Sequence, residues 1–514
     1  MTLARAAQLA RMAAGLRGFA QNPLTRDGAI TTIRRQLAGR EARFVELTRR
    51  FIFDVPSSPY GRLLRWSGCG PGDLEGSVRR HGLEQTLDRL RDAGVRLSLD
   101  EFRSRAPIRR PGLTIETCES DFDNPLLGAH RVEGHTSGSR GRSTRVAYDW
   151  EFIAEESTHE RLLYDIHGVL DAPLALWYPV PPGIAGIHNL LMSLKLGCVP
   201  EAWFSHTPTD AMPREGRLAT ALIRWQCGAP RPEFADLSRA DKVAAWLAAA
   251  RARGVPGVVR TYGSSAVRIA QSALESGADI RGSVIFAGGE PLTEERRRFI
   301  ESAGAQVYPR YVATESGVVA AACPYRDGAD DMHVYQDRLA VIEAEGALLY
   351  TSLTAHAGKI LFNTELGDRA ELTAKPCRCL FGELGFDIHV AKVRSNERLT
   401  LEGMTLPVSD LHDAVAAALE AVGGRPDLWQ LSQERRDGGP DRLVIAVSPD
   451  VQNLDEQEFL DAILARLGRG RPAGALAAAL WRQASTITVV RERPRATNGQ
   501  KVLVVGPEVA HADD

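Results

Sequence analysis

The stretch His135–Arg145 reads HTSGSRGRSTR. Hydroxyl residues interleaved with two glycines leave backbone N–H groups exposed and let the chain turn tightly. Arg140 and Arg142 add positive charge, so the composition suits a loop that cradles phosphate oxygens. It is not a Walker A loop, because no G-x-x-x-x-G-K-[ST] occurs in the chain. A flexible surface loop has the same composition, so its neighbours decide the reading.

Working outward, residues 1–115 read as mainly helical. In GLEQTLDRLRDAG, Leu83, Leu87 and Leu90 fall at helical spacing with polar residues between. From about 151 to 300, apolar runs alternate with helical patterns. The runs include Leu174–Val180, Gly257–Arg260 and Ser283–Ala287; the helices include Lys242–Arg253, Ser264–Ser276 and Leu292–Ala303, the last capped by Thr293 and stopped by Gly304. That rhythm is α/β, a sheet covered by helices. Strands and turns follow from Leu339 to Leu372. Residues 396–514 read as a smaller α+β unit, with helices Val408–Ala421 and Glu456–Leu467 and strands Leu443–Val447, Thr486–Val490 and Val502–Val505.

Composition narrows the function. A chain of 514 residues is too long for one ordinary core. With 63 basic against 65 acidic side chains it lacks the excess of Lys and Arg that nucleic acid or an anionic membrane selects. Arg5, Arg11 and Arg17 interrupt the apolar start, and no run of about 18 uncharged apolar residues occurs. The 7 scattered cysteines suit a reducing compartment, so a cytoplasmic protein is expected. Lysine is scarce: only Lys195, Lys242, Lys359, Lys375, Lys392 and Lys501 stand among the 63 basic residues. Arg cannot replace a compact, titratable ammonium, so each lysine is worth following.

Three further segments carry chemistry. FAGGEP (Phe286–Pro291) places two glycines at the end of a strand, where α/β proteins usually bind a ligand. YVATES (Tyr311–Ser316), after the short strand Gln306–Tyr308, offers an aromatic face, a hydroxyl and a carboxylate for a base, a phosphate and Mg²⁺. In FNTELGDRAEL, Asp368 is expected in a turn between two strands, where its carboxylate can accept both hydroxyls of a ribose.

In this order and spacing the four segments resemble the adenylate-forming (acyl-CoA synthetase-like) superfamily, and within it the phenylacetate-CoA ligase family. The family's SSGTTGKPT loop matches Ser137–Thr144 with Arg140, Arg142 and Ser143 substituted; its GAEP matches Gly288–Pro291, its YGxTE matches Tyr311–Glu315, and its RTGDL-type turn matches the segment around Asp368. The family's hinge resembles Val393–Leu406. The resemblance covers about 50–510. It implies a large α/β domain of the adenylate-forming fold, comprising a helical part (1–115) and an ATP- and acid-binding core (116–395), and a mobile C-terminal α+β lid (396–514).

The resemblance also implies roles. Ser137, Gly138, Ser139, Arg140 and Gly141 would hold the ATP phosphates. Gly289, Glu290 and Pro291 would line the adenine pocket, with Tyr311 stacking on the base. Thr314 would contact the α-phosphate, Glu315 would bind Mg²⁺, and Asp368 would hold the ribose with Arg394 beside it. A carboxylate would attack the α-phosphorus to give an acyl-adenylate and pyrophosphate, and a thiol, CoA first among them, would then displace AMP. The family's C-terminal catalytic lysine corresponds to Lys501 in PRATNGQKV, although Gln500 separates it from Gly499. Asn396 replaces the first Asp of the hinge pair, which makes CoA less secure than adenylation. Open alternatives are transfer to a carrier protein or an amine, activation of nitrite as in diazo-forming relatives, and a degenerate nucleotide-binding protein.

Two readings are local. Cys323, His333, Cys377 and Cys379 supply three thiolates and one imidazole, enough for a closed structural zinc site, though the C-x-C spacing is tight and buried core thiols are the alternative. Trp177, Tyr178, His188, Tyr262 and Ser265 are candidates for the acid pocket; an aromatic wall suits an aryl or arylacetic acid, and such clusters also build cores. Residues 1–50 are unassigned beyond helix and a homodimer interface.

Overall fold

A computed structural model describes residues 14–125, 131–135, 145–181, 183–290, 292–345, 347–395, 398–401, 404–424, 428–434, 442–452, 454–470 and 472–494. The chain is α/β, as the alternating pattern implies. Among the described residues, helices dominate 14–102, including Arg26–Ala38, Arg40–Thr48 and Leu83–Asp92. Their apolar faces (Ala29, Ile33, Phe44, Leu47, Leu83, Leu87) are buried in the main core. Each such aliphatic or aromatic side chain contributes about 1.5–3 kcal/mol.

A hairpin of β1 (Arg131–His135) and β2 (Arg145–Asp149) pairs Arg131 with Asp149 and His135 with Arg145. The register places His135 and Arg145, which flank 136–144, opposite each other. β2 runs straight into helix α1 (Trp150–Ile166), whose first turn is capped by Asp149: its Oδ1 accepts the Phe152 N–H at 2.7 Å.

The centre is a 12-stranded sheet. Its strands are β3 (Leu174–Trp177), β4 (Ala202–Ser205), β5 (Pro232–Phe234), β6 (Val258–Tyr262), β7 (Val284–Gly288), β8 (Gln306–Ala313), β9 (Gly317–Ala321), β10 (Met332–Val334), β11 (Leu339–Ala344), β12 (Ala347–Ser352), β13 (Thr364–Ala374) and β14 (Ile388–Ser395). Their order is β11-β12-β13-β14-β10-β9-β8-β7-β6-β3-β4-β5. From β8 to β5 all neighbours are parallel; from β8 to β11 all are antiparallel. The parallel half reads as continuous apolar runs because helices such as α2 (Ile184–Lys195) and α3 (Gly263–Ser276) cover it.

Two expectations change here. β8 continues through Tyr311 to Ala313 instead of ending at Tyr308, because β7 pairs with it as far as Arg310 and β9 pairs with it from Arg310 to Ala313. Asp368 lies inside the strand β13, not in a turn. The physical reason is that β12 and β14 satisfy its backbone on both sides, and Gly367, at φ 92°, is absorbed as a local irregularity.

After a hairpin of Arg398–Leu401 and Met404–Pro407, a smaller α+β unit follows. It holds α4 (Val408–Ala421), β15 (Trp429–Glu434), β16 (Arg442–Val447), α5 (Glu456–Gly470), α6 (Pro472–Ala484) and β17 (Ile487–Val490). β15 and β16 are antiparallel, β16 and β17 parallel, around Leu411, Leu431, Ile445, Ile463 and Trp481. Among the described residues no helix is long and apolar enough to cross a membrane.

Candidate functional site

The parallel strands end on one edge, where an α/β sheet offers its crevice. Trp177 and Tyr178 stand at the end of β3, His206 just past β4, Tyr262 at the end of β6, Gly289 and Glu290 after β7, and Tyr311–Glu315 at the end of β8. Topology thus gathers segments that the sequence spreads over more than a hundred residues.

Among the residues that the motifs assign to a nucleotide, the Tyr311 hydroxyl donates to Asp368 Oδ2 at 2.5 Å and also meets the Tyr350 hydroxyl. Burial, then the Asp368 charge, pushes the Tyr311 phenol well above its ordinary range, so it remains a donor. The turn Thr314–Ser316 links β8 to β9. Glu315 is buried and forms an ion pair with Arg103, Nη2 to Oε1 3.0 Å. Arg103 follows the short helix Leu99–Phe102, and no sequence motif announces it.

Gly289 has φ 75° and sits against the Tyr262 ring, where a Cβ would approach to 3.2 Å; only glycine meets both conditions. Glu290 is tied to α3. Its carboxylate accepts from the Ser264 N–H (2.8 Å) and the Ser264 hydroxyl (2.9 Å) and pairs with Arg296 (3.3 Å). It caps α3 and so fixes that helix against the glycine turn. Arg394 lies in β14, opposite Arg369 and next to the Asp368–Ser395 pair.

The acid-pocket candidates form a chain of rings. Trp177 packs on His206 (4.8 Å), His206 on Tyr262 (5.6 Å), and Tyr262 meets Tyr178 edge-on (4.9 Å). All four are buried, and Trp177 and Tyr178 belong to different apolar clusters, as alternation along a strand requires. Trp177 donates to Ala235 O and Tyr178 to Thr261 O. Ser265 meets His206 Nε2 at 3.1 Å. Burial, then Arg268, lowers His206 to about 3, so its ring is neutral at pH 7. His206 was not singled out in the sequence; only its place after β4 identifies it.

His188 pairs with the buried Glu156 of α1, Nε2 to Oε2 2.6 Å. Burial raises the Glu156 pKa, but His188, Arg338 and the Val318 N–H outweigh it and bring the group to about 2. Its ordinary value is 4.5, so its stabilising contribution is complete above that pH and is lost as the pH falls toward about 2. The Glu156→Gln variant is therefore expected to show a shallower loss of stability across that window in urea titrations; an unchanged slope would contradict the assignment.

The thiol cluster assembles. Cys323 follows β9, His333 lies in β10, and Cys377 and Cys379 follow β13. Their ligand atoms all lie within 4.8 Å of one another. Cys323 Sγ and Cys377 Sγ are 3.7 Å apart, and Cys379 Sγ is 3.2 Å from His333 Nε2. Zn–S bonds of about 2.3 Å in a tetrahedron give S···S edges of about 3.8 Å, so the donors fit a four-coordinate ion. His333 Nδ1–H donates to Phe386 O at 2.8 Å, which leaves Nε2 as the free donor atom. The hydrogen bond with Cys323 and then His333 bring Cys379 down to about 3 despite its burial, while Cys323 and Cys377 are pushed up. The C-x-C spacing works because Gly382 lets the chain fold tightly onto the Cys377 carbonyl, where any Cβ would overlap.

The other lysines are engaged. Lys195 donates to Asn22 O, Lys242 pairs with Glu233, Lys359 with Asp123, Lys375 with Asp327 and Asp331, and Lys392 with Glu371. Ser137, Gly138, Ser139, Arg140, Gly141, Pro291 and Lys501 lie outside the described residues, as do Asn396 and Gln500.

No protein-family model and no curated protein matches the chain. Solved structures to which it is similar include an acyl-CoA synthetase (AMP-forming)/AMP-acid ligase II-like protein from Dyadobacter fermentans, at 14% identity, with 72% of this chain and 87% of that one covered and a TM-score of 0.32. An amide bond synthetase from Marinactinospora thermotolerans has 12% identity, 77% and 70% coverage and a TM-score of 0.39. An anthranilate CoA ligase in complex with anthranoyl-AMP has 10% identity, 81% and 74% coverage and a TM-score of 0.33.

Proposed function

We infer that the protein is an ATP-dependent, adenylate-forming acid ligase of the acyl-CoA synthetase-like superfamily, nearest in its motifs to phenylacetate-CoA ligases. One observation carries this reading. Tyr311 and Asp368, assigned by motif to base and ribose of one nucleotide, are joined by a 2.5 Å hydrogen bond although 57 residues apart. Beside them the Thr314–Ser316 turn ends the last parallel strand.

In this reading 1–395 binds ATP and acid, and 396–514 is the lid that brings Lys501 to the reacting carboxylate. Thr314 holds the α-phosphate. In-line positioning and charge neutralisation do most of the work, since the reaction needs no obligatory proton transfer. Mg²⁺ supplies charge neutralisation at the phosphates when bound with ATP, and Glu315 is the carboxylate to hold it. Arg103, on that same carboxylate, places a second positive charge beside the phosphates. The aromatic chain from Trp177 to Tyr178 supports an aryl or arylacetic acid as substrate; CoA as acceptor thiol rests on the motif resemblance alone. The Cys/His cluster is a structural zinc site.

The test is pyrophosphate release with ATP and a panel of aryl, acyl and inorganic acids, with and without CoA. Release that depends on an aryl acid, with thioester formed when CoA is added, is expected. Acid-independent release, or none, would overturn the ligase reading; release without thioester would remove CoA alone.

A further inference from the structure

Glu156 is a carboxylate with no solvent-exposed side-chain surface, and its two oxygens face different parts of the site. Oε1 accepts the backbone N–H of Val318 at 2.6 Å, and Oε2 accepts from His188 of α2 at 2.6 Å. Arg338 Nη1 lies farther off, 3.6 Å from Oε1. Gly317 is pressed onto this group: its φ is 79°, and a Cβ there would overlap Oε1 and the Phe152 ring. The start of β9, directly after the Thr314–Ser316 turn, therefore rests on α1. That helix begins at the end of β2, which pairs with β1.

A purely structural account would make Glu156 a counter-charge for Arg338. Glu160, one turn later and equally buried, has such a role: it meets Arg310 at 2.6 Å and Arg260 at 3.4 Å. Arg260 and Arg310 lie within the strands β6 and β8. Glu156 instead makes its two short contacts with the start of β9, just past the turn, and with His188, and 3.6 Å is the longest of its three.

We propose that Glu156 is a positioning residue: one carboxylate holds the Thr314–Glu315 turn and His188 in register on the helix that follows β2. Its catalytic consequence rests on the adenylation reading; its mechanical consequence does not. A misplacement of about 1 Å at a reacting group costs on the order of 10²-fold in rate, so loosening this one anchor lowers turnover more than affinity.

The test compares Glu156→Gln with Glu160→Gln, both nearly isosteric. For Glu156→Gln, kcat for acid-dependent pyrophosphate release is expected to fall by about tenfold or more, with KM for ATP within about threefold. Glu160→Gln, matched for thermal stability, is expected to keep kcat within about twofold. Hydrogen exchange of the 312–322 peptide is read in parallel and is expected to quicken about tenfold in Glu156→Gln and not in Glu160→Gln. Wild-type kcat in Glu156→Gln, or equal losses in both variants, would overturn the positioning role. If the wild type itself releases no pyrophosphate, the ligase reading fails, and exchange alone decides: unchanged 312–322 exchange in Glu156→Gln would then refute the anchor.

Discussion

Replacing Lys501 by alanine is expected to slow acid-dependent pyrophosphate release by about 10²–10³-fold, the cost of removing one preorganised charge from a transition state. ATP affinity is expected to stay within about threefold, because Tyr311, Asp368 and the Thr314–Glu315 turn lie in the other part of the chain. Two facts make the claim sharp. Lysine is nearly absent, with six among 63 basic residues. The other five are engaged with carboxylates or carbonyls far from this role, from Lys195 on Asn22 O to Lys392 on Glu371. Lys501→Arg separates charge from geometry: a planar guanidinium cannot reproduce a compact ammonium, so it is expected to rescue little. Wild-type pyrophosphate release by Lys501→Ala would end the assignment, and with it the lid mechanism.

The second large effect concerns metal. The purified protein is expected to carry about one zinc per chain, and Cys379→Ser less than about a tenth of that. Loss of the ion is expected to cost several kcal/mol, seen as a drop of about 5–10 °C in thermal unfolding. The reason lies in what the ligands join. Cys323 sits at the far end of β9, which begins at the Thr314–Ser316 turn; Cys377 and Cys379 sit at the far end of β13, which carries Asp368; His333 stands on β10 between β9 and β14. An ion here would clamp the two strands that, under the proposed function, present the residues for the phosphates and the ribose. ATP affinity is therefore expected to weaken in Cys379→Ser as well. In a cluster of packed thiols the same substitution would exchange one small polar atom for another and change little. Less than about 0.3 zinc per chain after mild preparation, with an unshifted melting temperature, would sink the metal.

Legibility was uneven for physical reasons. The Thr293 cap and the helix after it are local: the Thr293 side chain accepts from the Arg296 N–H three residues on, and the sequence shows both. The extension of β8 through Tyr311 and the placing of Asp368 inside β13 depend on neighbours on both sides of each strand, which periodicity cannot supply. Arg103 reaches Glu315 across 212 residues and Glu156 reaches Val318 across 162. No window along the chain contains such pairs. His206 was missed because a lone histidine after a short apolar strand has no pattern; its meaning comes from the rings stacked on either side.

By itself the sequence determined the α/β rhythm, the order of the nucleotide segments, the four Cys/His donors and the isolation of Lys501, because each is a matter of residue type and spacing. The tertiary structure decided which partners those side chains meet. It turned Glu290 into a helix cap, gave Glu315 an arginine partner, brought Tyr311 onto Asp368 and set Glu156 under the start of β9. A carboxylate's chemistry is fixed by its nearest charges and donors, and in this chain those come from strands and helices that only the folded sheet makes neighbours.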